Sequence, residues 1–187
     1  MKKRKIVIIR GKTTGGKSTI SYELAKVLPG WIFIDIWKIK EMFEPLELKD
    51  RSIGNNTSKK AVNTILKEVI RELRANIILQ ESTIQYLNKI VGIDLKKYNY
   101  EVYSFFLDVD LKNAVKRDIK RKKPTMGIGK KSKDEDLWSS EGPQKKKGDY
   151  YIHTGKNNLK QVIDIILEEI GEKGKSHPGK HLLRKSN

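Results

Sequence analysis

The sequence predicts an α/β sandwich of three layers, with helices on both faces of a mostly parallel sheet, and three observations carry that expectation. Short apolar runs alternate with helical patterns along the whole chain. The first run, Ile6-Val7-Ile8-Ile9, is continuously apolar, as suits a central strand buried on both faces. It passes through a glycine turn straight into a helical pattern, the strand-then-helix order that parallel pairing requires.

The remaining elements follow from periodicity. Ile20, Leu24, Val27 and Leu28 fall on one helix face, stopped by Pro29-Gly30. Trp31-Ile32-Phe33-Ile34 reads as a second strand closed by Asp35. Residues 49–58 (KDRSIGNNTS) read as a polar loop. Val62, Ile65, Leu66, Val69, Ile70 and Leu73 then give one amphipathic helix, leading into a third strand over residues 76–81 (NIILQE) with a polar end. A weaker helix is expected over residues 86–98, broken near Gly92, before a fourth strand over residues 101–107 (EVYSFFL). Asp110 is placed to cap a helix running from Leu111 to about Arg121. Tyr150-Tyr151-Ile152-His153 makes a short fifth strand, and Leu159, Val162, Ile163, Ile166 and Ile170 mark the closing helix.

One domain is expected over residues 1–171. Within it, residues 122–148 form a long, basic, glycine-containing stretch, and loops of that length in a compact domain are functional or disordered. A basic lid is expected over about residues 117–148. The last segment, residues 172–187, lacks periodicity and is expected to be an unstructured basic tail.

The net charge is +17 over 187 residues, and its placement matters more than its size. Residues 2–5 carry +4, residues 116–148 hold 12 basic and 5 acidic side chains, and residues 171–187 hold 5 and 1. About +2 is left for everything else, so the body of the fold is nearly neutral. Charge runs are usually solvated, and lysine outnumbers arginine 32 to 8, unlike an Arg-rich phosphate reader. Nucleic acid is therefore admitted as a partner without being favoured. The absence of cysteine removes disulfides, thiolate nucleophiles and Cys-type zinc sites, and His153, His177 and His181 are too scattered for a metal site. No apolar run approaches the length of a membrane span, and the basic start has no signal-type apolar region, so a cytoplasmic protein is expected.

Gly11-Lys12-Thr13-Thr14-Gly15-Gly16-Lys17-Ser18, followed by Thr19, satisfies G-x-x-x-x-G-K-[ST] in full. Glycines let the backbone curl so that successive N–H groups face one cavity, and the following helix aims its positive end at an anion. Lys17 would reach the β- and γ-phosphates, and the Ser18 hydroxyl would sit on Mg²⁺. Nucleoside triphosphate binding follows from this motif in this context.

Three further parts point to phosphoryl transfer. Asp35 closes the second strand, at the edge where open α/β sheets bind ligands, and could take the proton of an attacking hydroxyl. It could equally cap the helix after it, and the two roles are compatible. A metal-orienting acid is expected at Glu81, by position at the end of the third strand. Asp108 competes by pattern, since it closes the apolar run Phe105-Phe106-Leu107. Arg117 and Arg121, four apart on one helix face, suit the spreading charge of a transferring phosphate.

With these parts placed, the chain resembles the small P-loop kinases of the P-loop NTPase superfamily, in the branch of chloramphenicol phosphotransferase, zeta toxins and the kinase domain of polynucleotide kinase. The resemblance runs from about residue 5 to 171. It rests on GKTTGGKST, IFID, ILQES, the R-x-x-x-R pair of VKRDIKRKK, and DYYIHTGKNNLKQVIDIIL. It implies a five-stranded parallel sheet in the order 2-3-1-4-5, use of ATP and Mg²⁺, and Asp35 as general base. It also implies Arg121 and Arg117 on the phosphates and the Thr154 turn near the adenine. Lys38 and Lys40 stand where polynucleotide kinases carry an Arg, and Lys lacks the bidentate fork. The expected activity is thus transfer from ATP to a hydroxyl of a small-molecule or nucleotide-like acceptor. A nucleic-acid 5′-end kinase and a non-catalytic nucleotide-binding regulator are the alternatives.

Overall fold

The computed structural model describes residues 3–45, 51–80, 95, 97–120, 145 and 147–174. Its elements are β1 (Arg4–Gly11), α1 (Lys17–Val27), β2 (Ile32–Asp35), α2 (Ile36–Glu41), α3 (Arg51–Glu68), a π-helical turn (Val69–Leu73), β3 (Ile77–Gln80), β4 (Tyr100–Asp108), α4 (Leu111–Ile119), β5 (Asp149–His153) and α5 (Leu159–Glu169). The five strands form one sheet in the order β2-β3-β1-β4-β5, with every pairing parallel. This is the expected order, with Ile8 of the central strand opposite both Leu79 and Ser104.

Alternation along the strands splits the core into two layers. Val7, Ile9, Ile78, Phe105 and Leu107 face α1 and α5, where Ile20, Leu24, Val162 and Ile166 meet them. Ile6, Ile8, Ile77 and Leu79 face the other way, onto Ile36 and onto Val62, Leu66 and Ile70. A strand covered on both faces has no polar side to show, which is why β1 reads as an unbroken apolar run. Each such side chain contributes about 1.5–3 kcal/mol by leaving water.

Residues 51–58 are helical, not a loop. Gly54, Ser58, Val62 and Leu66 are all buried at a spacing of four, so the apolar face continues backwards with small residues in place of large ones. Tertiary packing overrides the poor helix propensity of Gly, Ser and Asn there. At the other end the π-turn widens the helix, and Leu73, expected on the apolar face, is exposed. Of the expected helix over residues 86–98, residues 86–94 and 96 lie outside the described residues, and residues 97–99 form a turn into β4.

Strand β1 also runs past its apolar stretch. Arg10 is buried within it and pairs with Asp149 of β5, whose second carboxylate oxygen accepts from the Ser104 hydroxyl at 2.7 Å. The Arg10 guanidinium lies 5.3 Å from the centre of the Phe106 ring. After α5 the chain stays attached: Lys5 Nζ donates to the Ile170 carbonyl at 2.5 Å and pairs with Glu172 at 2.6 Å. Packing thus reaches beyond residue 171, and residues 175–187 lie outside the described residues. Among the described residues no helix is long and apolar enough to cross a membrane.

Helix α4 begins as expected. Asp110 accepts from the Asn113 backbone N–H and side-chain amide, each at 2.8 Å. The Asn113 side chain, then its backbone N–H, holds the Asp110 carboxyl below the usual carboxylate range. Asp110→Ala should cost about 1 kcal/mol, read as a lower urea midpoint with an unchanged slope.

Candidate active site

The phosphate loop hangs between β1 and α1. At Gly11 (φ +139°) a Cβ would lie 2.1 Å from the Leu107 carbonyl oxygen, so no side chain fits there. The next residue, Lys12, donates its backbone N–H to that same carbonyl at 3.2 Å, anchoring the loop on β4. Gly16 (φ +91°) opens α1 from the left-handed region, supplies no side-chain cap, and no acidic residue occupies the first turn. Those first N–H groups are what an anion at this end would meet, and the residue types fit a triphosphate. Lys17 folds back over the loop, its Nζ donating to the Gly11 and Lys12 carbonyls at 2.9 and 3.0 Å. Ser18 and Thr19 are exposed on the first turn, and Thr13 is half-buried before it. Thr14 holds φ +63°, a conformation that β-branched residues rarely adopt.

Two partners brace the loop from the β4 side. Lys12 Nζ lies 3.5 Å from Asp108 Oδ1, and Asp108 Oδ2 accepts from the Tyr151 hydroxyl. Burial alone would raise the Asp108 pKa, but the Tyr151 hydroxyl, the Lys12 charge and the Val109 N–H together bring it below the ordinary value. Burial and the same carboxylate push Tyr151 up to about 12. Arg117, on α4, donates to the Thr14 carbonyl at 3.2 Å, to Thr154 Oγ1 at 2.9 Å and to the Thr154 carbonyl at 2.6 Å. Thr154 in turn donates its N–H and its hydroxyl to the Asp108 carbonyl, at 2.8 and 3.0 Å. One guanidinium therefore ties phosphate loop, α4 and the turn after β5 together.

Beside this tie lies a cavity of about 310 Å³. Thr14, Gly15, Gly16 and Thr19 form its loop side, and Ile20, Leu159 and Val162 its apolar wall. Arg117, Thr154 and Asn157 complete it with polar groups. Such a mix of apolar wall and few convergent polar groups is typical of a ligand site.

The second half of the site is on β2. Asp35 Oδ1 accepts from Trp37 N (3.0 Å), Lys38 N (3.4 Å) and Gln80 Nε2 (3.3 Å), so the carboxylate caps α2 and is held by β3. Asp35 Oδ2 has no hydrogen-bond partner among the described residues. By alternation Asp35 shares a face with Phe33, the face on which α1 packs. Only β3 separates β2 from β1, so their C-terminal ends are roughly 10 Å apart. Trp37 is 49% exposed next to Asp35, with Lys40 Nζ 5.2 Å from its ring centre.

Solved structures share this fold. The tunicamycin resistance protein of Deinococcus radiodurans superposes with a TM-score of 0.58 at 17% identity, covering 91% of this chain and 98% of that one. A gluconokinase from Sinorhizobium meliloti gives 0.60 at 13% identity, over 91% and 94%. A sugar kinase from Janibacter gives 0.59 at 14%, over 91% and 95%. The chain has the fold of the small P-loop kinases. No family model matches it, and no curated protein matches it in sequence.

Within the P-loop kinase fold, Gly11 to Thr19, Arg117 and Thr154 are gathered around one cavity and its loop. Asp35 stands apart, at the end of β2. Glu81, Arg121 and residues 121–144 of the expected lid lie outside the described residues. Two participants escaped the sequence reading: Gln80 looked like a polar strand end and Asn157 like part of a turn. Lys12 belongs to the expected nucleotide-binding loop, and only its pairing with Asp108 is new. These three have partners 45, 4 and 96 residues away, and only the Asn157–His153 contact is local enough to leave a pattern.

Proposed function

We propose that this chain is an ATP-dependent kinase that transfers the γ-phosphoryl group to a hydroxyl of a small-molecule or nucleotide-like acceptor. The carrying observation is the Asp35 carboxylate, whose Oδ1 is held by three donors while Oδ2 stays open, one strand away from the phosphate loop. A general base needs that combination of fixed orientation and a free oxygen. The gluconokinase and sugar kinase of the same fold support the reading.

In this reading the α1 N–H groups and Lys17 hold the β- and γ-phosphates, and the ~310 Å³ cavity takes the base against Leu159 and Val162. Arg117 fixes the turn that closes this cavity, and a phosphate-binding role for Arg121 is part of the same proposal. The Ser18 hydroxyl would hold Mg²⁺, with Glu81 as the second proposed metal residue, and the ion would neutralise charge on the phosphates. The acceptor oxygen attacks the γ-phosphorus in line, and its proton passes to Asp35 Oδ2. The bond from the γ-phosphorus to the bridging oxygen breaks, and ADP leaves. Little covalent chemistry is asked of the protein beyond positioning and charge. A cytoplasmic site of action is part of the same proposal.

The test is an acceptor screen with purified protein, Mg²⁺ and γ-labelled ATP against metabolites and short RNA and DNA oligonucleotides. A labelled acceptor is expected, with Lys17→Ala weakening ATP binding by on the order of 100-fold or more. Tight ATP binding with nothing labelled across the screen would sink the kinase reading. Labelling confined to oligonucleotides, falling steeply with salt, would redirect it to a nucleic-acid acceptor.

A further inference from the structure

Arg117 is held by protein oxygens, although the resemblance to P-loop kinases implies this guanidinium on the phosphates. Three of its five N–H groups are engaged. They reach the Thr14 carbonyl at 3.2 Å, Thr154 Oγ1 at 2.9 Å and the Thr154 carbonyl at 2.6 Å. Arg117, Thr14 and Thr154 all line the cavity of about 310 Å³, so this bridge joins its loop side to its turn side.

Thr14 is the strained point of the phosphate loop. It sits at φ +63°, a left-handed conformation that is costly for a β-branched residue, and it is 4% exposed. Its hydroxyl oxygen is buried with no hydrogen-bond partner, so the side chain offsets none of that strain. Conformations of this kind persist only where their surroundings over-determine them. The Arg117 bond to the Thr14 carbonyl is such a restraint, and the other two bonds fix it to the turn after β5. Asp108 secures that turn in its place, since its carbonyl accepts the Thr154 N–H at 2.8 Å and the Thr154 hydroxyl at 3.0 Å.

We infer that Arg117 is a positioning residue that holds the phosphate loop in its strained form from the base side of the cavity, so that the two halves of a nucleotide bind cooperatively. This rests on the nucleotide reading of the loop and the cavity. A base in the cavity orders the Thr154 turn, through it Arg117, and through Arg117 the loop at Thr14. A phosphate in the loop orders the same chain in reverse. By linkage each half then strengthens the other by the same factor. Lysine in place of Arg117 would keep the charge and lose the planar fork that reaches both threonines. A direct phosphate ligand would act through its charge, and the strain at Thr14 would be irrelevant to it.

The experiment is calorimetry on the full chain with Mg²⁺, titrating ATP, and titrating pyrophosphate with and without saturating adenosine. Wild type is expected to bind pyrophosphate about fivefold or more tightly once adenosine is present. Arg117→Lys should lose that enhancement and bind ATP more weakly by at least a similar factor, with a cooperative melt. Adding Thr14→Gly should restore ATP affinity, because glycine adopts φ +63° without strain and needs no restraint. Arg117→Gln, which removes the charge as well, should be rescued by Thr14→Gly in the same way and carries the test should the lysine variant fail to fold. Equal pyrophosphate affinity with and without adenosine, full ATP affinity in Arg117→Lys, or an ATP loss that Thr14→Gly leaves in place overturns the inference. Any of these with ATP still bound by wild type leaves the kinase reading standing, since that reading is decided by labelling. A wild type that binds no ATP sinks both.

Discussion

Asp35→Asn is expected to lower kcat for the acceptor by roughly 10²–10⁴-fold and to leave ATP affinity and melting temperature nearly unchanged. The substitution is clean because of how the carboxylate is held. Asparagine is as good a helix cap as aspartate, and its Oδ1 can still accept from Trp37 N, Lys38 N and Gln80 Nε2. What changes is the second atom, Oδ2, which becomes an amide nitrogen that donates and cannot take a proton. A cap-only Asp35 would therefore tolerate asparagine with full activity, and a general base would not. Single-turnover labelling at saturating ATP separates the two outcomes, and wild-type rates in Asp35→Asn would end the assignment of Asp35 as the base.

The parts of the fold legible in the sequence are those where burial is local and apolar. Strand β1, helix α1 and helix α5 carry their periodicity in large aliphatic side chains, and each falls where the pattern puts it. Helix α3 shows the limit. Its first two turns face the core through Gly54 and Ser58, and hydrophobic patterning cannot see a buried face made of small residues. Leu73 fails for the opposite reason: the pattern continues, but a π-turn changes the angle per residue and carries it out to solvent. At the candidate site, the phosphate loop is legible because each of its residues has a local steric or electrostatic duty. Gln80 is not, since its meaning comes from Asp35, which meets it only once β2 and β3 are paired. Arg117 is intermediate. Its place before a long basic stretch marked it out, yet its hydrogen bonds go to Thr14 and Thr154, which the helix spacing could not foretell.

Asp149→Leu should destabilise the protein by about 3–5 kcal/mol, the largest stability effect expected of a single change here. The Arg10 and Asp149 side chains are 2% and 0% exposed, and the pair joins β1 to β5 across β4. Removing the carboxylate leaves a buried guanidinium without this counter-charge, and takes the acceptor from the Ser104 hydroxyl as well. Truncating one member of a buried pair costs far more than the pair itself contributes, because the remaining charge has already lost its water. The double substitution Arg10→Met with Asp149→Leu should therefore recover much of the loss, and urea unfolding of the four species in a double-mutant cycle measures this directly. A double mutant less stable than Asp149→Leu alone would mean that the charge of Arg10 is satisfied elsewhere. The pair also has a bearing on the site. Arg10 immediately precedes Gly11, where the phosphate loop leaves the sheet, and Asp149 opens the strand that ends beside Thr154. If the pair fixes how these two strands deliver their ends, the recovered double mutant should still bind ATP more weakly than wild type. If ATP binding returns fully with stability, the pair serves the fold alone.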